Sequence, residues 1–233
     1  RRAVSLDREA TGRHAQLACE VFDGLLPVRV GRTSSMYSDG IANKAVHLMG
    51  MQELYLQMAL NPDGVHRLLS QLAEDNLALG QWEEDQGLLT PNTDGNQGYC
   101  SGSSQYTDEL APQPWREGDR VRSVDRYGYL EAQEAAGLSP AMFDEFLMPH
   151  FSRFAAKFRL MKFGCCEPVH RRWHILKRIP NLRSVSVSPW ADEEAMAEGL
   201  GDRYIYARKP KPTLISTGVF DEDAIRQDVR RTL

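Results

Sequence analysis

Two kinds of hydrophobic pattern follow one another along the chain. Short apolar runs of about four to eight residues are typical of strands, whereas apolar residues three or four positions apart are typical of helices. Strands that alternate with helices in this way predict a parallel α/β sheet with helical crossovers. The pattern predicts about five strands, at 24–31, 88–95, 161–166, 182–189 and 203–210.

The predicted helices carry recognisable start and stop signals. Asn61 is a favourable N-cap with Pro62 at the first helical position, and Ser139 and Pro140 repeat this arrangement. Pro149 predicts a kink. Residues 95–120, rich in Gly, Ser, Gln, Pro and Asp, are predicted to form a long loop. The predicted helices are 1–22, 46–60, 61–87, 126–137, 139–158, 169–179, 191–200 and a last one from about Asp221.

Composition narrows the class of protein. The chain has 233 residues and a formal net charge of −4, so it suits one large domain or two small ones. The slight acidic balance gives no reason to expect nucleic acid or a membrane surface as a partner, and no apolar run approaches the roughly 20 residues that cross a bilayer. Four cysteines are too few for a disulfide framework, which favours the cytoplasm. Cys19 is expected to be a small buried residue on a helix.

Unusual polar residues cluster where predicted strands end. These segments are "TDG" (93–95), "CCEP" (165–168), "SPW" (188–190) and "RKPKP" (208–212). Ligands bind at the carboxyl ends of the strands both in a (β/α)8 barrel and in an open doubly wound sheet. The pattern therefore predicts a site at these ends without choosing between the two architectures.

The "CCEP" segment is the strongest candidate for chemistry. Successive residues of a strand point to opposite faces, so Cys165 and Cys166 cannot both face the same side. Zinc accepts thiolate and carboxylate ligands, which makes Cys165, Cys166 and Glu167 candidate metal ligands and Glu167 a candidate catalytic residue. The alternative is that both cysteines pack as small apolar residues while Glu167 caps the following helix.

Other candidates are weaker. Asp94 is a candidate ligand or general base, or a turn-forming residue. Arg208, Lys209 and Lys211 are candidates to hold a carboxylate or phosphate of a substrate, or they form a solvated basic turn. Tyr127, Tyr129 and Trp190 are candidates to line an apolar pocket for a flat ligand, or they pack in the core. His170 and His174, four positions apart on one helix face, are a possible metal-binding pair or surface and packing residues. Asp108 and Glu109 are candidate ligands or general bases, or part of a solvated loop.

Four segments together resemble the uroporphyrinogen decarboxylase superfamily. They are "SPAMFDEFLMPHFSRF" (139–154), "FGCCEP" (163–168), "ILKRIPNLRSVSVSPWADEEAMAEGLGDRYIYARKPKP" (175–212) and "MGMQELYLQMALNPDGVHRLL" (49–69). The likeness is closest to the bacterial branch with a "GCCEP" strand end. The resemblance implies a single α/β domain over residues 1–233 with a (β/α)8 barrel fold. Since such a barrel needs roughly 250 residues, its N-terminal strands are expected to be missing from this chain.

The superfamily resemblance implies two chemistries. Some members decarboxylate the acetate side chains of uroporphyrinogen in porphyrin biosynthesis without a cofactor. Others transfer methyl groups to or from a corrinoid protein and bind zinc through a His-x-Cys strand end plus a distant Cys. Here Phe163 or Gly164 stands where that His would be, while a Cys is retained as Cys165 or Cys166. We expect a zinc-assisted methyltransferase with a separate corrinoid protein; the alternatives are a decarboxylase and a non-catalytic binding barrel.

Overall fold

The computed structural model describes residues 3–28, 30, 40–99, 103–110 and 119–232, with the side chains of 94–99 and 103–105 outside the description. The helices of this part are α1 (Arg8–Val21), α2 (Ile41–Met49), α3 (Met51–Leu60), α4 (Pro62–Asp85), α5 (Pro140–Phe146), α6 (Met148–Ala155), α7 (Trp173–Leu176), α8 (Glu193–Leu200) and α9 (Glu222–Arg230). The strands are β1 (Asp94–Tyr99), β2 (Ser103–Tyr106), β3 (Tyr127–Leu130), β4 (Leu160–Phe163), β5 (Leu182–Val187) and β6 (Ile205–Arg208).

The strands form two separate sheets. β1 and β2 pair as an antiparallel hairpin, whereas β3 to β6 form a parallel sheet in the order β3-β4-β5-β6. Each parallel strand lies beside its predecessor in the chain, and helices form the crossovers: α5 and α6, then α7, then α8. The chain is therefore a mixed α/β protein whose parallel sheet grows in one direction without a reversal of strand order.

The two faces of the parallel sheet differ in character. Leu130, Phe163 and Val187 lie on one face, in the main hydrophobic core shared with the helices. On the other face, Tyr127 and Leu160 form a small separate cluster with Leu110. Because side chains alternate along a strand, the residues between the core positions share this second face. We call it the polar face; its polar members are Tyr127, Tyr129, Lys162, Ser184, Ser186 and Ser188, all of them buried.

Helix ends follow the predicted signals. The Asn61 side chain accepts a hydrogen bond from the N–H of Gly64 at the start of α4, and the Ser139 side chain accepts one from the N–H of Met142 at the start of α5. The predicted helix 139–158 is divided at Leu147 into α5 and α6, with Pro149 in the first turn of α6. The predicted kink is therefore a break between two short helices.

Two strand predictions in the first half of the chain are wrong. The residues described in 24–31 form no strand, and Leu25 and Leu26 are exposed. Residues 88–93 form no strand either, and the first strand begins at Asp94. Both segments have apolar runs but no neighbouring strand in the described chain, and a strand is stable only when its backbone groups are paired. The hairpin β1–β2 lies inside the predicted long loop.

The predicted helix 126–137 is also wrong. Its first half forms β3, and its second half contains a short 3-10 helix at Gln133–Ala135. The aromatic residues Tyr127 and Tyr129 favour a strand, while the Ala, Gln and Glu residues that follow favour a helix. Pairing with β4 decides the outcome, and this is tertiary information. Cys19 is exposed rather than buried, since no described residue of α1 is buried.

Candidate functional site

A glycine turn ends β4 and opens the candidate site. Gly164 has a φ of +102°, a conformation that L side chains rarely adopt, and its N–H donates to the carbonyl of Leu130 at 2.9 Å. A Cβ at this position would lie 3.1 Å from the carbonyl oxygen of Ser186. The turn therefore needs glycine both for its φ and for the close approach of β5.

Glu167 joins the ends of two strands. Its Oε1 accepts a hydrogen bond from the N–H of Ala132 at 2.9 Å, and its Oε2 accepts one from the N–H of Cys165 at 2.7 Å. The residue is buried. Glu167 thus fixes the loop after β3 against the loop after β4. It does not cap the following helix.

Cys165 and Cys166 lie in a bend after β4, which ends at Phe163, so the alternation of a strand does not set the directions of their side chains. Cys165 is buried and Cys166 is exposed, and neither forms a disulfide. Their sulfur atoms are nevertheless only 3.6 Å apart. Two adjacent thiols, one of them accessible to solvent, therefore lie at the carboxyl end of β4.

β5 holds the "CCEP" segment from the other side. The hydroxyl of Ser186 donates to the carbonyl of Cys165 at 3.2 Å, and that of Ser188 donates to the carbonyl of Glu167 at 3.3 Å. The hydroxyl of Tyr129 donates to the carbonyl of Gly164 at 3.4 Å. The thiols therefore sit on a backbone that is fixed by side chains from both neighbouring strands, which is the rigid support that a binding site needs.

Arg172 stabilises the segment that follows β3, next to the site. Its Nη2 lies within 3.0 Å of the carbonyl oxygens of Ala135, Ala136 and Leu138. The guanidinium also stacks over the ring of Phe143 at 4.7 Å. Burial lowers the pKa of Arg172, while the negative charge of Glu167 acts in the opposite direction. The buried guanidinium therefore holds the segment that follows β3 and Glu131.

Arg208 and Lys209 have different surroundings. The Arg208 side chain is 3% exposed and forms ion pairs with Glu193 and with Asp228, at 3.1 and 2.9 Å. It therefore lies on the helix side of the sheet, away from the thiols. The N–H of Lys209 donates to the carbonyl of Val187 and continues the ladder. Since neighbouring side chains alternate, the Lys209 side chain belongs to the polar face.

The predicted aromatic residues are not brought together. Tyr127 is buried at the amino end of β3, where burial raises the pKa of its hydroxyl. Trp190 follows the carboxyl end of β5 and is 63% exposed, in a turn closed by the N–H of Ala191 and the carbonyl of Ser188. Trp190 and Tyr127 therefore lie at opposite ends of the sheet, whereas the hydroxyl of Tyr129 reaches the carbonyl of Gly164 beside the thiols.

Asp94 is the first residue of the antiparallel strand β1 and does not lie at the end of a parallel strand. The Asp94 side chain and the whole of Cys100 lie outside the described residues. Glu109 forms a paired ion contact with Arg183, and this hydrogen bond lowers the pKa of Glu109. The ring of His170 accepts a hydrogen bond from the N–H of Asp192. Exposed His174 and exposed Asp108 have no role in the site described above.

Sequence reasoning missed the polar face. Its signals are present: the serines of "SVSVS" (184–188) alternate with valines, and Lys162 interrupts the apolar run of β4. Lys162 is only 1% exposed. A charged residue within an apolar strand was therefore a signal in the sequence for a buried polar position.

The donor set for a metal is incomplete in the described residues. Among them, no three His, Cys, Asp or Glu side chains converge in a way that could hold a metal ion. The two thiols suit zinc chemically, whereas both oxygens of Glu167 already accept backbone N–H groups. Of the three predicted ligands, the two thiols have a donor chemistry that zinc accepts, whereas Glu167 is engaged by backbone N–H groups.

Comparison of the chain with protein-family models, with characterised proteins and with solved structures finds no match. Among the described helices, none combines the length and the apolar character that crossing a membrane requires.

Proposed function

We propose that the parallel sheet is a sector of a (β/α)8 barrel. Two features support this interpretation: the strands follow one another in chain order, and the sheet has one apolar face toward the helices and one buried polar face. A doubly wound sheet reverses its strand order at a switch point, which the four described parallel strands do not do. In a barrel the polar face would point to the interior, and the thiols would lie at the catalytic mouth.

We further propose that the protein is a zinc-assisted methyltransferase of the uroporphyrinogen decarboxylase superfamily that works with a separate corrinoid protein. The observation that carries the proposal is the 3.6 Å distance between the sulfur atoms of Cys165 and Cys166. Two thiolates on one tetrahedral zinc, with Zn–S bonds of about 2.3 Å, lie about 3.8 Å apart. The pair is thus close to the separation that zinc requires.

The residues around the thiols have defined roles in this proposal. Cys165 and Cys166 would hold the ion, while Glu167 and the serines of β5 keep the backbone of the two thiols in place. When bound, zinc activates a thiol or polarises an oxygen of a methyl donor. Exposed Trp190 offers an aromatic contact at the rim for a docking partner. The three described cysteines form no disulfide, which supports a cytoplasmic location.

The test is methyl transfer to reduced cobalamin. The chain, loaded with zinc, is mixed with reduced cobalamin and a panel of methyl donors, and the absorbance of the cobalamin is followed. We expect transfer that Cys166→Ser lowers by more than about tenfold. Cys19→Ser is the matched control, because Cys19 is an exposed free cysteine on α1, and it should leave the rate unchanged. No transfer from any donor would contradict the proposal.

Buried basic side chains favour one alternative, decarboxylation. Lys162 is buried, the ammonium of half-buried Lys209 is shielded from solvent, and both belong to the polar face, where a substrate with several carboxylates would be attracted. This alternative predicts that the same preparation releases carbon dioxide from uroporphyrinogen without zinc or cobalamin. Release of carbon dioxide together with failure of methyl transfer would replace the first proposal by this one.

A further inference from the structure

The ammonium group of Lys209 is buried without a hydrogen-bond partner. Its Nζ has no contact with solvent, and no described residue accepts a hydrogen bond from it. An ammonium group that is removed from water without a partner lowers the stability of the folded state. Neighbouring Arg208 shows how this fold satisfies a buried cation elsewhere, because two carboxylates, Glu193 and Asp228, pair with it.

The position of Lys209 in the strand shows on which face of the sheet its side chain lies. Its backbone continues the pairing of β6 with β5, where the register matches Val187 with Arg208. Arg208 points toward α8 and α9, so the side chain of Lys209 lies on the opposite, polar face beside Ser188. Ser188 in turn holds the carbonyl of Glu167 in the segment that carries the thiols.

We infer that Lys209 binds an anionic group of the substrate, a carboxylate or a phosphate, at the carboxyl end of β6. This inference rests on the proposed function, since it assumes that the polar face is the substrate site. The bound anion supplies the partner that the fold leaves out. Binding sites often contain a buried charged group that lacks a partner in the free protein and gains one from the ligand. Such a group lowers the stability of the free protein and is kept because it serves binding.

The structure also separates Lys209 from the other cations of "RKPKP". Arg208 is already paired with two carboxylates, and Lys211 is exposed. From the sequence alone all three were equal candidates to hold an anion. Of the three, Lys209 alone combines a buried charge with a place on the polar face.

The test compares Lys209→Met with Lys211→Met in the whole chain, without zinc, methyl donor or cobalamin. Binding of succinate and of inorganic phosphate is measured separately by calorimetry, which distinguishes the two anion sources. We expect at least one anion to bind the parent chain and Lys211→Met equally, and Lys209→Met at least about tenfold more weakly. Lys209→Arg keeps the charge and should retain most of the affinity.

Thermal unfolding provides a second measurement. Met has a similar volume and no charge, so Lys209→Met should raise the melting temperature of the free chain by about 2–4 °C. The inference is overturned if neither anion binds the parent chain, or if Lys209→Met and Lys211→Met bind anions equally. These experiments contain no metal, so a negative result concerns Lys209 and not the zinc proposal. Conversely, a chain that binds anions through Lys209 but transfers no methyl group would contradict the proposed function alone.

Discussion

The carboxylate of Glu167 accepts a hydrogen bond at 2.9 Å from the backbone N–H of Ala132, which lies 35 residues earlier in the chain. The two residues follow β4 and β3, so this bond connects the carboxyl ends of neighbouring parallel strands. The second carboxylate oxygen accepts from the N–H of Cys165. An acid that looked like a ligand in the sequence is therefore the residue that positions the thiols.

Replacing Glu167 by Gln should destabilise the protein. The amide has one acceptor oxygen and one NH₂ group, so one of the two backbone donors, at Ala132 or at Cys165, would face another donor. We expect a loss of about 2–3 kcal/mol in the free energy of unfolding, measured by urea denaturation. Glu194→Gln, an exposed substitution on α8, is the control and should change stability by less than about 0.5 kcal/mol. Unchanged stability in Glu167→Gln would mean that the carboxylate is not a structural connection.

Arg172 and its neighbour Arg171 give a matched pair of substitutions. Arg172→Met removes the donor shared by the carbonyls of Ala135, Ala136 and Leu138 and should cost about 3 kcal/mol. Arg171→Met removes an exposed cation and should have almost no effect. The measurement is the midpoint of denaturant unfolding, and equal effects of the two substitutions would show that the carbonyls are satisfied in another way.

Gly164 should not tolerate a side chain. Gly164→Ala forces a Cβ onto a residue with a φ of +102° and brings it within 3.1 Å of the carbonyl oxygen of Ser186, so we expect a loss of about 1–3 kcal/mol. Gly12 lies inside α1 with open space around it, and Gly12→Ala should instead stabilise by about 0.5–1 kcal/mol. Thermal unfolding of the two variants tests these opposite signs. A stabilising Gly164→Ala would contradict the described turn.

The pair of Arg208 and Asp228 predicts a pH dependence. The hydrogen bond from Arg208 lowers the pKa of Asp228 below its ordinary value of 3.8. The unfolded chain therefore binds this proton at a higher pH than the folded chain does, so the stabilisation is complete above that ordinary value and is lost as the pH falls through the lowered pKa.

Stability measured from pH 7 to pH 2 tests this expectation. Asp228→Asn should cost about 3 kcal/mol at pH 7 and flatten the fall below pH 4, because it removes one partner of a buried pair. Asp144→Asn breaks an exposed pair with Arg178 and should cost less than about 1 kcal/mol. Parallel curves for the parent chain and Asp228→Asn would show that Asp228 does not titrate in this way.

Local pattern was sufficient for part of the fold. β4, β5 and β6 were predicted because their apolar runs are bounded by turn residues. The expectation that Cys165 and Cys166 face opposite sides assumed a strand through Cys166, whereas β4 ends at Phe163 and the two sulfur atoms lie 3.6 Å apart. β3 was missed because "YGYLEAQEAAG" (127–137) contains strand-forming and helix-forming residues side by side, and only pairing with β4 decides between them.

The partners of charged groups could not be predicted from local pattern. Arg208 and Lys209 look like equivalent cations in the sequence, yet Arg208 pairs with Asp228, which lies 20 residues later on α9, a helix that the fold packs against the sheet. Strand alternation predicts that the side chains of Arg208 and Lys209 point to opposite faces of the sheet. It does not predict which of the two faces carries the carboxylates. The backbone partners of Glu167 are likewise a product of strand order.

The central claim is that Cys165 and Cys166 together bind zinc, and metal analysis of the purified chain after reconstitution tests it most directly. We predict about one zinc per chain, lost in Cys165→Ser/Cys166→Ser and retained in Cys19→Ser. Circular dichroism of the double variant should match that of the parent chain, which would show that the loss is not caused by unfolding. A parent chain that binds no zinc, or a double variant that binds as much as the parent, would contradict the account.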